Sequence, residues 1–360
     1  MKIGITAGDI NGISLEVIIK TLADKRICEQ CTPIIYVNSK VLVYHKNMTE
    51  VGSFNFENVK DARAAHEGKI NVVSCFPDTV NIKLGEATKE GGASAQKALE
   101  TAMHDYNNGD LKAIVTAPIN KKAMQMANFK YPGHTEFFTD KFDVSDSLML
   151  MCNDDLRVGL VTNHLPIKDV AAAVTKQKVQ QKLNVLYNTL HEDFGIVKPK
   201  IAILGLNPHA SDGGAIGSED EDFIRPLVLE AKKKGRFVNG PYPADGFFGS
   251  GMHKKFDGIL AMYHDQGLIP FKALSFGSGV NFTAGLPLVR TSPDHGTGYE
   301  IVGQNKADAS SFRQALFTAI DVVRNRQEYK EDYSNPLKKG RKKKLENSVD
   351  EKLPLDKGSK

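Results

Sequence analysis

Tryptophan is absent from this chain and cysteine is rare, four residues in 360. So few thiols exclude a disulfide-stapled secreted scaffold and fit a reduced compartment. Cys28-Glu-Gln-Cys31 has the spacing of a redox or zinc pair, but no second pair follows, so Cys28, Cys31, Cys75 and Cys152 are read as structural or incidental. No window approaches the roughly 18 apolar residues of a membrane span. The start, MKIGITAGD, lacks a positive region leading into an apolar run, so a cytoplasmic protein is expected. A strong charge of one sign is also missing. The net charge is +4, and Lys338, Lys339, Arg341, Lys342, Lys343 and Lys344 more than account for it, leaving a slightly acidic body that is not a nucleic-acid surface. The polar, lysine-rich stretch from about Ser334 to Lys360 argues for disorder. The turn after the first expected strand, Ala7 to Gly12, is not G-x-G-x-x-G, which excludes the usual dinucleotide fingerprint, and no internal repeat is visible.

The chain does contain a regular alternation of short apolar runs and helical patterns. Lys2–Thr6, 33–37, 70–74, 113–116, 148–152, 157–162, 200–204 and 256–262 predict strands, and 148–162 predicts a hairpin, which makes the class α/β with a mixed sheet. Ser14 is expected to cap the first helix, Gly91-Gly92 to precede the second, and Ala309 to Val323 to form the last. A length of 360 residues favours two lobes.

Three of these strands empty into a histidine just past their carboxyl ends: His164 in Asn163-His164-Leu165-Pro166, His209 in Asn207-Pro208-His209, and His264 in His264-Asp265-Gln266. Ligands in open α/β sheets sit at that edge. If the strands lie side by side, or face one another across a subunit boundary, three imidazoles converge as a catalytic divalent metal site, with zinc the first choice and cobalt, manganese or magnesium as alternatives. Asp245 and Asp265 are the carboxylates expected nearest to it. Pro132-Gly133-His134-Thr135-Glu136 opens a helix at a place suited to an anion, and Lys121 follows the strand at 113–116. Lys272, Asn281 and Arg290, spaced by glycines, suit a phosphate or carboxylate. Asp212-Gly213-Gly214 is either a lid or a turn.

Taken together, GHTEFF from Gly133, TNHLP from Thr162, GLNPHA from Gly205, MYHDQGL from Met262 and GVNFTAGLPLVRTSPDHGT from Gly279 resemble the 4-hydroxythreonine-4-phosphate dehydrogenase family of pyridoxal phosphate biosynthesis, over roughly residues 1 to 325. The resemblance implies an isocitrate/isopropylmalate-dehydrogenase-like fold, two lobes around a mixed sheet with the active site in the cleft, and a homodimer with shared active sites. It implies metal ligands at His164, His209 and His264, and substrate contacts at His134, Thr135, Lys272, Asn281 and Arg290. The implied activity is metal-dependent, NAD-linked oxidation of 4-phosphohydroxy-L-threonine, with Lys121, Asp245 and Asp265 as acid-base candidates. The segment with His295, Gly296, Thr297 and Asp308 is similar to the adenosine-binding loop of β-decarboxylating dehydrogenases. Glu300 and Ile301 stand where NADP-specific members carry Lys and Tyr, which favours NAD. Residues 1–140 with 280–330 are expected to form the cofactor lobe, 141–279 the metal and dimer lobe, and 331–360 a basic tail. Oxidation of 4-phosphothreonate or 4-phosphoerythronate is the sister activity. A metal hydrolase or a non-catalytic binding protein would lack the NAD reaction altogether. The first loop departs from the family's pattern: Ile10 and Leu15 stand where prolines are usual, and Ala117 replaces a glycine before Pro118.

Overall fold

The computed structural model describes residues 1–335 apart from Ser145 and Phe276, so most of the expected basic tail lies outside the described residues. Twelve strands form one sheet: β1 Lys2–Thr6, β2 Thr32–Tyr36, β3 Glu57–Val59, β4 Asn71–Val73, β5 Ala113–Thr116, β6 Leu148–Cys152, β7 Arg157–Leu160, β8 Lys200–Leu204, β9 Phe237–Tyr242, β10 Gly258–Ala261, β11 Val280–Ala284 and β12 Val289–Pro293. Their order is β3-β4-β2-β1-β5-β12-β11-β6-β7-β10-β8-β9. The strands from β3 to β12 in that order are parallel, as are those from β7 to β9. Between them, β11 runs antiparallel to β12 and β6, and β6 antiparallel to β7. The expected hairpin and mixed sheet are therefore present.

Near-continuous apolar strands mark a sheet covered on both faces. Ile3, Ile5, Ile34, Ile35, Val115 and Leu260 are all fully buried. A large core spans the sheet, and a smaller cluster with Val158, Ala202, Ile259 and Phe271 lies under the helix His264–Ser275. Strands drawn from 1–140 and 280–330 occupy one half of the sheet, and those from 141–279 the other.

Several local expectations are corrected. Ser14 is not a cap but the first residue of the helix Ser14–Leu22, and its hydroxyl donates to the Pro118 carbonyl at 2.9 Å. Gly91 and Gly92 do not precede the second helix; they lie in the first turn of Lys89–Asn107, which Thr88 caps by accepting from Gly91 N. Glycine is needed at 92 because a Cβ there would sit 2.0 Å from the Ala123 carbonyl. That close approach seats the short helix Lys121–Met126, and with it Lys121. The final helix runs on from Val323 to Ser334, because its last turns find polar and aromatic partners in place of apolar ones. Arg326 pairs with Asp193, and the Tyr329 and Tyr333 rings stack at 4.4 Å beside His191.

Candidate active site

The three histidine-bearing strands are immediate neighbours, in the order β7-β10-β8, and all parallel. Each histidine therefore leaves the sheet at the same edge. The His164 and His264 rings lie 5.8 Å apart between centroids. His264 opens a helix where the sequence suggested a loop, and its Nδ1–H donates to Asp265 Oδ1 at 2.7 Å, which leaves Nε2 free to face a metal. Burial and the neighbouring Lys121 charge hold the His164 pKa below the usual imidazole value, favouring the neutral ring a metal needs.

Among the described residues His209 does not complete a three-ligand group with this pair. It is exposed, and it begins a run of six residues with positive φ, from His209 at 53° to Gly214 at 97°. Four of the six are not glycine, so the backbone is strained there and must be held by its surroundings. Asp220, fully buried, does this: it accepts from Leu206 N at 2.8 Å, Asn207 N at 3.0 Å and Ser211 Oγ at 2.7 Å. Among the described residues no group of three or more His, Cys, Asp or Glu is gathered closely enough to hold a metal within one chain. The donor set nonetheless suits a borderline divalent cation: two adjacent imidazoles, one of them oriented by a carboxylate.

A cavity of about 240 Å³ lies beside the histidine pair and brings together Lys121, His134, Thr135, His164, Asn281, Arg290, His295 and Gly296. Arg290 is its floor. Arg290 is 3 % exposed, and the partners of its guanidinium are neutral: Thr116 Oγ1 at 2.7 Å, Thr283 Oγ1 at 3.0 Å and His134 Nδ1 at 3.2 Å. Burial lowers its pKa to about 10, still charged near neutrality. Because Nδ1 of His134 accepts from arginine, its proton sits on Nε2; burial and the arginine charge push its pKa well below the usual value. A buried cation held only by neutral groups gains most from an anion. Asn281 Oδ1 is also buried without a partner among the described residues.

A second cavity, about 660 Å³, is lined by Ile13, Lys272, Asp294, Glu300, Ile301 and Asp308, and shares His295 and Gly296 with the first. His295 Nδ1–H donates to the Gly296 carbonyl, and its buried Nε2 has no partner among the described residues. Glu16 and Lys20 of the first helix hold the 305–307 backbone: Glu16 Oε1 accepts from Ala307 N, and Lys20 Nζ donates to the Asn305 and Ala307 carbonyls. Asp308 is kept below the usual carboxylate range by hydrogen bonds from Ser310. Volume, orphaned imidazole nitrogen and fixed loop suit a dinucleotide.

Not every candidate joins the small cavity. Lys272 lines the larger one, paired with Asp294 at 3.3 Å. Thr297 lines neither; its carbonyl instead accepts from Ile13 N at 2.9 Å. Asp245 is exposed at the start of the helix Ala244–Gly249, and Asp265 reaches the site only through His264. Thr116, Thr283, Glu136 and Asp220 were not singled out from sequence. Thr283 had one available signal: it shares the face of β11 with Asn281, two residues earlier.

A family model described as pyridoxal phosphate biosynthetic protein PdxA matches residues 29–319. A protein of Bacteroides thetaiotaomicron called 4-hydroxythreonine-4-phosphate dehydrogenase is 49% identical, covering 99% of this chain and 97% of its own. Its namesake in Aquifex aeolicus is 40% identical over 89% of this chain and 98% of its own. A relative from Oceanobacillus iheyensis, 36% identical over 89% of this chain and 97% of its own, is called a putative D-threonate 4-phosphate dehydrogenase. Among solved structures, 4-hydroxythreonine-4-phosphate dehydrogenase from Klebsiella pneumoniae superposes with a TM-score of 0.79 at 31% identity, covering 89% of this chain and 98% of that one.

Proposed function

Because the chain belongs to the pyridoxal phosphate biosynthetic protein PdxA family, we propose that it oxidises 4-phosphohydroxy-L-threonine at C3 with NAD as hydride acceptor. The product, 2-amino-3-oxo-4-phosphooxybutanoate, loses CO₂ to give 3-amino-2-oxopropyl phosphate. The observation that carries this reading is Arg290, a buried cation with only neutral partners, facing a cavity beside two paired imidazoles.

Arg290 and His134 Nε2–H grip the phosphate, and Thr135 and Asn281 fix its orientation, so the reacting carbon is held against the cofactor side of the cavity. Lys272, at the edge of the larger cavity, completes the anionic contacts. His164 and His264, with His209 of the same or a second copy, would hold a divalent cation, zinc first and cobalt, manganese or magnesium as alternatives. Such a cation lowers the pKa of an alcohol bound to it and offsets developing negative charge. Lys121, beside His164 in the cavity, supplies a proton to C2 after decarboxylation. Asp265 orients His264, and Asp245, which lines neither cavity in one chain, serves only if a partner brings it close.

His295, Gly296, Thr297 and Asp308 form the wall for NAD. Glu300 lines the larger cavity, and its carboxylate would repel the 2′-phosphate of NADP. The chain works as a homodimer with shared active sites, its two lobes meeting where β11 joins β6. No described helix is long and apolar enough to cross a membrane.

The test is NADH formation by the purified protein with 4-phosphohydroxy-L-threonine, before and after chelation and after return of each metal. Absence of NADH with every phosphorylated hydroxy acid, under every metal, would sink the dehydrogenase reading. The second reading, oxidation of 4-phosphothreonate or 4-phosphoerythronate, is favoured by the name of the Oceanobacillus relative. A preference for those acids by orders of magnitude would select it.

A further inference from the structure

The small cavity is an anion site with one anomaly. Lys121, His134, His164 and Arg290 suit a phosphate and a carboxylate, but Glu136 lines the same space and is its one carboxylate among the described residues. Its field reaches both Arg290 and His164. Glu136 is half-buried in the first turn of the helix His134–Lys141, where a carboxylate is favoured by the backbone dipole. It lies close over Gly133, where a Cβ would come within 3.2 Å of Oε2. Among the described residues it enters no ion pair and accepts no side-chain hydrogen bond that would account for it as a purely structural group.

A ligand with a phosphate and a carboxylate is repelled by such a group unless it also brings a cation to it. We propose that Glu136 is the specificity-determining residue that receives the α-ammonium of an amino-acid substrate, and so separates 4-phosphohydroxy-L-threonine from hydroxy acids without an amino group. The inference rests on the dehydrogenase reading above and deepens it. The amino acid offers N–H donors and a positive charge to Glu136. The corresponding 2-hydroxy acid offers no charge and leaves the carboxylate uncompensated among anions. The phosphate grip of Arg290 and His134 is common to both ligands and cancels from the comparison.

The experiment measures kcat/KM for 4-phosphohydroxy-L-threonine and for 4-phosphothreonate in the wild-type holoenzyme, in Glu136→Gln and in Glu136→Asp. The Gln variant should lose about 10- to 100-fold of the preference for the amino acid, the span of one charge-assisted hydrogen bond. Most of the change should fall on the amino acid, with the hydroxy acid unchanged or improved. The Asp variant, which keeps the charge, should lose several-fold less and serves alone if the Gln variant does not fold. Equal losses on both substrates, or an unaltered ratio in a folded variant, would overturn the assignment while leaving the dehydrogenase reading intact. A wild-type enzyme that oxidises neither compound would overturn both.

Discussion

Arg290 shows how much of the site rests on single side chains with unusual surroundings. Its fork is held by Thr116 from β5, by Thr283 from β11 and by His134 from a helix, so its position is over-determined before any ligand arrives. Lysine could carry the charge but not reproduce the three-way attachment. Arg290→Lys should therefore lower kcat/KM by about 30- to 150-fold, the range for a lost charged hydrogen bond of about 2–3 kcal/mol. Inorganic phosphate provides an independent readout. In the wild type it should raise the unfolding temperature, by about 2.7 kcal/mol of stabilisation at a hundredfold over its Kd. In Arg290→Lys that shift should largely vanish. A full phosphate shift in the variant would show that the anion binds elsewhere. The residues legible in the sequence were those whose chemistry is rare at strand ends: histidines, a lysine after Thr116 and an arginine between glycines. Thr116 and Thr283 were missed because threonine in a strand is ordinary, and Glu136 was read only as part of the polar cluster after Pro132 because glutamate in a first helical turn is ordinary too. Only the convergence of three elements makes them part of the site.

At the level of elements, period-two and helical patterns located eight of the twelve strands, including the three that end in histidines and the β6–β7 hairpin, but not β11 and β12, which carry Asn281, Thr283 and Arg290. The His209 loop was not legible. Its shape is a run of left-handed residues maintained by Asp220, whose three donors lie 9 to 14 positions away in the chain, beyond what local propensity reports. Asp220→Ala should strand two backbone N–H groups and a hydroxyl, destabilising the protein by about 3 kcal/mol or more, while Asp220→Asn should recover part of that. Denaturant midpoints with unchanged m-values would measure it, and a loss below about 1 kcal/mol would show that the loop holds itself. A second element reports pH. His45, on the helix Ser39–Met48, is 2 % exposed, and its Nε2–H donates to the Ile10 carbonyl at 2.8 Å. Burial lowers its pKa to about 4. Between the ordinary value near 6.5 and about 4, the unfolded chain takes up a proton that the folded one refuses. Stability from this group is thus complete above pH ~6.5 and drains as pH falls, by about 3 kcal/mol in all. Unfolding midpoints from pH 7 down to pH 4 should show this slope in the wild type, and His45→Gln should flatten it. Equal slopes in the two proteins would place the acid lability elsewhere.

At the level of the whole molecule, the sequence could place three histidines at strand ends but not the strand order, because neighbours in a sheet are chosen by packing between distant segments. The sheet resolves that uncertainty by setting β7, β10 and β8 side by side, with the reversal at β11 and β6 separating them from the parallel strands that carry the anion cavity's floor. One chain then pairs His164 with His264 yet gathers no group of three ligands among its described residues. If a second copy completes the site, two variants that are each inactive should repair one another. A dimer of His209→Ala with His264→Ala carries, under sharing, one site with both lesions and one with neither. Random reassortment makes half of the dimers mixed, so mixing equal amounts after mild dissociation should restore about a quarter of wild-type activity. The His264→Ala and His164→Ala pair tests the closeness of those two rings in the same way: if both come from one chain, their mixed dimers hold no intact site and regain nothing. Recovery in the second mixture but not in the first would mean that His164, rather than His209, joins the partner's His264.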